Sequence, residues 1–258
     1  MSTNADLAPP GAHRMTDDRP TSLSVFFPAF NEEGNLTKLI EQTIAVVSSL
    51  VENFEIIIVN DGSTDGTAEV ADELAAKHAE VRALHQENQG YGGALMSGFN
   101  AASKEAVFFS DADNQFDLGD IARFWEHLRD HEAVVGFRMP RQDPPWRTLN
   151  GFLWGRLVCL IFRIRIKDLD CAFKMFSKSA ITDIKLRCRS QTISAELMVR
   201  LDRKGVRWKQ LGVRHFQRTY GEQSGNNFRV ILKAFRDLFG LYRMLRRESR
   251  QVPNAQHP

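Results

Sequence analysis

The chain has 258 residues, of which 43% are hydrophobic and 26% are charged, and its formal net charge is +2. The composition is typical of a soluble globular protein, and the length is sufficient for one large α/β domain or for one domain with an appendage. The sequence has no internal repeat or low-complexity tract. The densest apolar stretch, residues 149–166, is interrupted by arginines, so we predict that the chain does not cross a membrane.

Residues 1–20 are polar and lack the apolar core of a signal peptide, so we expect a disordered leader there. From residue 22 onward, short apolar runs alternate with amphipathic stretches. Strands separated by helices of this length predict an α/β fold with a mainly parallel central sheet and helices on both faces. The predicted strands are residues 24–27, 55–59, 81–85, 106–110 and 133–137, and the predicted helices are residues 36–50, 65–77, 91–102 and 118–130.

The alternation fades after Gly136, where a proline-rich loop begins. Three further elements are predicted beyond it: an apolar, arginine-rich helix at about residues 149–164, a strand at 172–176 and a helix at 194–204. Apolar residues at helical spacing on a basic background predict one more, amphipathic helix near the C-terminus. We therefore expect four segments: a leader over residues 1–20, a main domain over 21–225, the basic amphipathic helix over 226–248 and a disordered tail over 249–258.

Positive charge is concentrated in two stretches. Seven cations between Arg138 and Lys167 face a single acid, Asp143, and a second basic stretch occupies residues 229–250. Both stretches indicate phosphate or anionic-lipid partners, and we expect no nucleic-acid partner. The alternative for each is a solvated basic face.

The cysteines show neither paired metal-ligand spacing nor a disulfide framework. Their positions are Cys159, Cys171 and Cys188. This usage predicts reduced thiols in a cytoplasmic protein.

Two carboxylates, Asp111 and Asp113, follow the predicted strand at residues 106–110. In extended backbone, residues i and i+2 point to the same side, so both acids could face one site. Hard oxygen ligands beside a diphosphate suit Mg²⁺ or Mn²⁺, and Gln115 could add another oxygen. The alternative is a capped turn.

Asp61 follows closely on the second predicted strand, where an acid is placed to bind a ribose hydroxyl or a base edge. Ser63, Thr64 and Asp65 are candidates to cap the helix that follows. The glycine-rich segment 89–93 is compatible with a ligand contact or with a plain turn that starts a helix. It does not fit the dinucleotide-binding pattern, and no Walker lysine motif is present.

Five motifs follow one another between about residues 22 and 225. They are SVFFPAFNEEGNL, EIIIVNDGSTDGT, NQGYGGAL, FFSDADNQFD and IKDLDCAFKMF. In order and spacing they resemble the family 2 glycosyltransferases of GT-A fold, in particular polyprenol-phosphate sugar transferases such as dolichol-phosphate mannose synthase and dolichyl-phosphate glucosyltransferase. The sequence departs from the family pattern at two positions. Ala172 stands where the family often has glycine, and Gly225 stands where the family often has a lysine after the loop serine.

The resemblance implies roles for matching residues. The nucleotide-sugar site would be formed by Pro28, Phe30, Asn31, Glu32, Asp61, Asp111, Arg138 and Arg218. The metal would be held by Asp111, Asp113 and Gln115. The acceptor or its phosphate would be bound by Arg147, Asn150 and Ser224. Asp168, which faces the reaction centre in relatives, and Asp113 would be the catalytic residues.

The implied reaction is the inverting transfer of a hexose from UDP-hexose or GDP-hexose to a polyprenyl phosphate of undecaprenyl or dolichyl type. Mg²⁺ or Mn²⁺ would stabilise the leaving diphosphate. The enzyme would be cytoplasmic and peripheral at the inner face of the membrane. Alternatives are a family 2 enzyme with a soluble sugar, glycan or metabolite acceptor, and a nucleotide-sugar-binding scaffold without turnover. A nucleotidyltransferase is disfavoured because a glycine- and lysine-rich phosphate loop is absent.

Overall fold

The computed structural model describes residues 20–139, 145–218, 220 and 228–251, with backbone alone for 145–150, 228–235 and 249–251. The strands β1 to β7 are Ser22–Ala29, Asn53–Asp61, Val81–Gln86, Ala106–Ser110, Ala133–Arg138, Phe173–Ser177 and Trp208–Val213. The helices α1 to α8 are Glu33–Val47, Thr67–Lys77, Tyr91–Ala101, Ile121–His127, Pro145–Phe162, Lys178–Ile181, Ile193–Arg203 and Phe228–Gln251.

The strands form one sheet in the order β3-β2-β1-β4-β6-β5-β7. β6 runs antiparallel to both of its neighbours, and the other paired strands are parallel. The predicted α/β fold with a mainly parallel central sheet is therefore confirmed. β1 and β4 are neighbours from which the chain continues towards opposite edges of the sheet, and such a switch point opens a crevice at the carboxyl ends of the strands.

Both faces of the central strands are covered. Every residue from Ser22 to Phe27 is buried, although successive side chains of a strand point to opposite faces. On one face the Phe26 ring packs against Phe99 of α3 and Phe109 of β4, with ring centroids 5.0 and 5.5 Å away. Gly98 lies against the Phe26 ring, and a side chain there would overlap it. The small residue thus lets α3 approach the sheet closely.

The part of the sheet beyond β4 differs most from the sequence-based prediction. β7 and the short α6 are not predicted at all, because β7 is a half-exposed edge strand with mixed polar and apolar residues. The helix predicted over residues 118–130 is a 3₁₀ turn, Leu118–Asp120, followed by α4. The antiparallel direction of β6 has no local sequence signal either.

The predicted C-terminal helix is α8, and its far half packs against the protein. Leu238, Leu241 and Leu245 are buried there, and Glu248 pairs with Arg200 of α7 at 2.8 Å. Among the described residues, no helix combines the length and the apolar content needed to cross a bilayer. The proposed boundary between residues 225 and 226 lies outside the described ranges.

Candidate active site

The loops after β1 and β2 are joined by hydrogen bonds at the carboxyl edge of the sheet. The Asn31 backbone N–H donates to Ser63 Oγ at 3.0 Å, and Asn31 Oδ1 accepts from the Thr64 N–H at 2.8 Å. Asn31 has a φ of 57°, a left-handed conformation that asparagine tolerates better than most residues. Asn31, predicted to line the nucleotide pocket, thus uses its side-chain oxygen to hold the second loop.

Acidic residues connect the starts of α1 and α2 in the same way. Glu33 Oε2 accepts from the Gly66 N–H at 2.6 Å, and the Glu32 N–H donates to Thr67 Oγ1 at 2.8 Å. Among the candidate capping residues 63–65, Asp65 accepts a hydrogen bond from a backbone N–H at the start of α2, that of Thr67, at 3.1 Å. The two loops therefore form one rigid wall of the crevice.

Asp61 ends β2 and is 4% exposed. Its Oδ1 accepts from Gln86 Nε2 at 2.6 Å and from the Gln89 N–H at 2.8 Å, so the carboxylate is held in one orientation. Pro28 is half-buried near the end of β1, and the Phe30 ring is 47% exposed beside Asn31. An exposed aromatic ring next to an oriented acid can stack on a base whose edge the acid binds.

The glycine-rich segment is explained by contacts within the protein. A side chain at Gly92 would overlap the Cys188 carbonyl, and the Gly92 N–H donates to the Arg189 carbonyl at 3.0 Å. The segment is thus the start of α3, packed against residues 188–189. It also places Tyr91, whose hydroxyl donates to Asp111 Oδ1 at 3.1 Å. Sequence reasoning did not identify Tyr91, because nothing local relates it to an acid twenty residues away.

β4 ends at Ser110, and Asp111 and Asp113 follow it, with Asp113 in a bend of the chain. The two acids lie close enough to interact, and that they face one ligand site stays a prediction. Burial, followed by the charge of Asp113, raises the pKa of Asp111 to about 7. Asp113 is 8% exposed, and its Oδ1 accepts from the Gln115 N–H at 3.1 Å. Gln115 Nε2 donates to the Phe216 carbonyl at 2.9 Å.

These groups fit a divalent cation only together with a substrate. Within the described residues, no group of three or more His, Cys, Asp or Glu side chains is arranged to hold a metal ion. Mg²⁺ and Mn²⁺ sites of nucleotide enzymes commonly combine one or two carboxylates with substrate phosphate oxygens. The carboxylates of Asp111 and Asp113, with the Gln115 amide oxygen, match that kind of site.

Arg218 contacts two acids of the site, Glu32 after β1 and Asp113 after β4. Its Nη2 donates to Glu32 Oε1 at 2.6 Å, and its Nη1 lies 3.8 Å from Asp113 Oδ2. Burial raises the pKa of Glu32, although hydrogen bonds from Asn35 and Arg218 oppose this. Tyr220 continues the contact, since its hydroxyl donates to Glu33 Oε1 at 3.1 Å. The structure thus brings Arg218 to Glu32, expected in the nucleotide pocket, and to Asp113, expected beside the diphosphate.

Asp168 and Arg138 are each other's partners. Arg138 Nε donates to Asp168 Oδ2 at 2.7 Å and Nη2 donates to Oδ1 at 2.8 Å, while the Arg138 backbone N–H donates to Oδ2 at 3.2 Å. The side chains are only 13% and 10% exposed. Because both carboxylate oxygens accept hydrogen bonds, the geometry favours orientation over proton removal as the role of Asp168.

The predicted acceptor-binding residues are less completely described. Arg147 and Asn150 lie in the first two turns of α5, and the structure describes their backbone alone. Ser224 lies outside the described residues. Their roles stay predictions.

Comparisons with known proteins agree with this geometry. A sequence model described as Glycosyl transferase family 2 matches residues 24–184. The glycosyltransferase AglD of Haloferax volcanii is 30% identical over 217 residues, covering 75% of this chain and 34% of the relative. An undecaprenyl-phosphate 4-deoxy-4-formamido-L-arabinose transferase of Edwardsiella ictaluri is 29% identical, covering 81% of this chain and 64% of the relative. The chain thus spans less than two thirds of either relative's length.

Solved structures show the same fold. Glucosyl-3-phosphoglycerate synthase from Mycobacterium tuberculosis in complex with UDP superposes with a TM-score of 0.67 and 19% identity, covering 86% of this chain and 80% of that one. The complex of that synthase with Mn²⁺, UDP and glucosyl-3-phosphoglycerate has a TM-score of 0.62 and 20% identity, covering 86% and 76% of the two chains. At this identity the likeness establishes the GT-A fold.

Proposed function

The chain belongs to glycosyl transferase family 2, and from that premise we propose that it transfers a hexose from UDP-hexose or GDP-hexose to a polyprenyl phosphate. The observation that carries the proposal is the meeting of Asp111 and Asp113 at the carboxyl edge, between the wall formed by the two N-terminal loops and the Arg138–Asp168 pair. The relatives named undecaprenyl-phosphate transferases support a lipid-phosphate acceptor.

In the proposed reaction, an oxygen of the acceptor phosphate forms a bond to C1 of the sugar on the face opposite the leaving group. The C1–O bond to the diphosphate breaks, and nucleoside diphosphate leaves with the electron pair, so C1 inverts. The acceptor phosphate is already anionic near neutral pH and needs little help from a base. Asp168 would then orient Arg138 and the acceptor, which agrees with its fully hydrogen-bonded carboxylate.

The donor would bind with its base between Phe30 and Asp61 and its diphosphate near Arg218. Mg²⁺ or Mn²⁺ held by Asp111, Asp113 and Gln115 would neutralise the charge that grows on the leaving diphosphate. Arg218, now paired with Glu32, would add a second positive charge there. We therefore propose that transfer depends on a divalent metal.

The surfaces of α5 and α8 support a membrane-borne acceptor. Phe152, Leu153 and Leu160 of α5 are 56%, 56% and 78% exposed, and the Arg156 guanidinium lies 5.9 Å from the Phe152 ring centroid. On α8, Phe239 is 61% exposed. Exposed apolar side chains among arginines on a helix surface are typical of a protein that rests on an anionic membrane surface. We propose a cytoplasmic enzyme bound peripherally to the membrane.

A transfer assay tests the proposal. The protein is incubated with radiolabelled UDP-glucose or GDP-mannose, undecaprenyl phosphate and Mn²⁺, and the product is partitioned between chloroform and water. We expect label in the chloroform phase, lost on addition of EDTA. In a parallel reaction with soluble sugars or metabolites added, a new water-soluble labelled product distinct from donor and free sugar would instead support a soluble acceptor. Binding of nucleoside diphosphate without any turnover, across a panel of donors, would support a nucleotide-sugar-binding scaffold.

Membrane attachment is tested separately. We expect the protein to co-sediment with vesicles that contain anionic lipid and to be released by high salt, because screening weakens attraction between surface charges. Failure to co-sediment at low salt would contradict the peripheral location.

A further inference from the structure

Lys174 is a charged residue in the middle of the sheet. It lies on β6 between Phe109 of β4 and Val135 of β5, and it is 1% exposed. Lysine is almost never fully buried without partners, because removing an ammonium group from water is costly. Burial lowers its pKa, and neighbouring carboxylates oppose that shift. A cation in this position therefore needs a reason beyond packing.

The Lys174 ammonium holds the turn that carries Asp168. Its Nζ donates to the Leu169 carbonyl at 3.2 Å and to the Cys171 carbonyl, and it lies 5.7 Å from the Phe109 ring centroid. These carbonyls belong to residues 168–171, the turn immediately before β6. The ammonium thus fastens this turn to the sheet from inside the protein.

The charge of Lys174 also acts on the site. Asp168, Asp170 and Asp111 are close enough to stabilise its charged form, and Lys174 in turn stabilises ionised Asp111. Arg138 is already held by Asp168. The Lys174 ammonium thus offsets part of the negative charge at the place where an anionic diphosphate and an anionic acceptor would have to meet.

We propose that Lys174 is a positioning residue for sugar transfer. Its hydrogen bonds hold the turn 168–171 in the arrangement in which Asp168 and Arg138 face the reacting atoms. Its positive charge stabilises the ionised carboxylate of Asp111. This inference rests on the proposed transferase function. It assigns to the buried lysine a role mainly in the transfer step, because the proposed contacts to the donor base lie elsewhere, with Asp61 at the end of β2 and Phe30 just after β1.

Lys178 provides a matched control just beyond the other end of β6. Its Nζ donates to the Ala102 carbonyl at 2.6 Å and to the Phe99 carbonyl at 3.5 Å, so it also fastens backbone carbonyls. Burial lowers its pKa too, but the carboxylate acting on it is Glu55, at the amino end of the sheet. Replacing Lys178 therefore removes the same kind of contact away from the acidic site.

The test compares Lys174→Met, Lys174→Ala and Lys178→Met by steady-state transfer and by binding of nucleoside diphosphate with Mn²⁺. We expect kcat of Lys174→Met to fall about 100-fold, as for an ångström-scale misplacement of reacting groups, with donor Kd within about threefold. Lys178→Met should lower Tm with kcat within about threefold. Propylammonium, which replaces the missing atoms of Lys174→Ala, should restore part of kcat, whereas neutral propanol should not.

A folded Lys174→Met with unchanged kcat overturns the proposal, as does a loss of kcat matched by Lys178→Met. Equal rescue by propanol overturns the part that depends on charge. Lys174→Met retains most of the side-chain volume and is the variant more expected to fold. If Lys174→Ala does not fold, the comparison of kcat with donor Kd in Lys174→Met decides alone. An unsubstituted protein that shows no turnover with any donor counts against the transferase function, and the role of Lys174 fails with it.

Discussion

The two sides of the candidate site are held together by different interactions. On the donor side, Asn31 and Glu33 join loops through side-chain to backbone hydrogen bonds at 2.6–2.8 Å. On the reaction side, the Arg138–Asp168 pair and Lys174 place nearly buried charges against one another. A lost hydrogen bond of the first kind costs about 1 kcal/mol, whereas a nearly buried charge left without its partner costs several times more. A single substitution on the donor side should therefore reduce stability and ligand binding modestly, whereas one on the reaction side should cause a large loss.

The largest effect is expected at Asp113, which lies between the two sides. Asp113→Asn retains an oxygen for the Gln115 N–H but removes a negative charge next to Asp111. We expect transfer to fall about 10³-fold, as when a group that stabilises the transition state is removed. The measurement is initial rate at saturating Mn²⁺, with Tm as a check on folding.

Asp117→Asn is the matched control for that experiment. Asp117 Oδ1 accepts from the Gly119 N–H at 3.0 Å, the same contact two residues along that Asp113 makes. It should retain nearly full activity. Equal losses in the two variants would show that the turn, and not the carboxylate of Asp113, is what matters.

Substitutions in the Arg138–Asp168 pair test whether stability and activity on the reaction side depend on paired, nearly buried charges. Asp168→Ala should lower the free energy of unfolding by about 3 to 5 kcal/mol, because it leaves the Arg138 guanidinium nearly buried without its main partner. The double variant Arg138→Met with Asp168→Leu should recover most of that stability and none of the activity. Urea unfolding and transfer rates measure both. A double variant less stable than Asp168→Ala would refute this account.

Asn31→Ala tests the donor side and should have a smaller effect. It removes the bond to the Thr64 N–H and places alanine at a φ of 57°, which together should cost about 2 kcal/mol. We expect weaker binding of nucleoside diphosphate and nearly unchanged kcat at saturating donor. Asp183→Ala, at a φ of 68° on the surface, is the control for backbone strain. Equal donor affinity in both variants would exclude a role for the loop-joining bond.

In the absence of divalent metal, the stability of the protein should depend on pH. The pKa of Asp111 is raised to about 7 from an ordinary 3.8, so the folded state binds a proton that the unfolded state has released. Its contribution to stability is therefore present at low pH and is lost as pH rises from about 4 to about 7. Tm of Asp111→Asn, relative to the unsubstituted protein, should rise across this range. A constant difference in Tm would contradict the raised pKa.

Much of the fold and part of the site were predictable from local pattern. The strands β1 to β5 and the helices between them carry continuous apolar runs or helical periodicity, because both faces of the central strands are buried. The acids of the site belong to short motifs next to the ends of predicted strands. Asp61, Asp111 and Asp113 could therefore be identified from the sequence as candidate site residues. The half-exposed β7 and the direction of β6 could not.

The sequence by itself placed the strands β1 to β5 to within two residues at either end, because burial in a parallel sheet imposes apolar runs that polar residues interrupt mainly near the strand ends. Tertiary structure alone decided the partners: Tyr91 with Asp111, Arg138 with Asp168, Arg218 with Glu32, and Lys174 with the turn before β6. Most of these contacts join segments from different parts of the chain, and the antiparallel insertion of β6 beside β4 brings Lys174 near Asp111. Hydrogen bonding and charge pairing depend on distance in space, which no local pattern records.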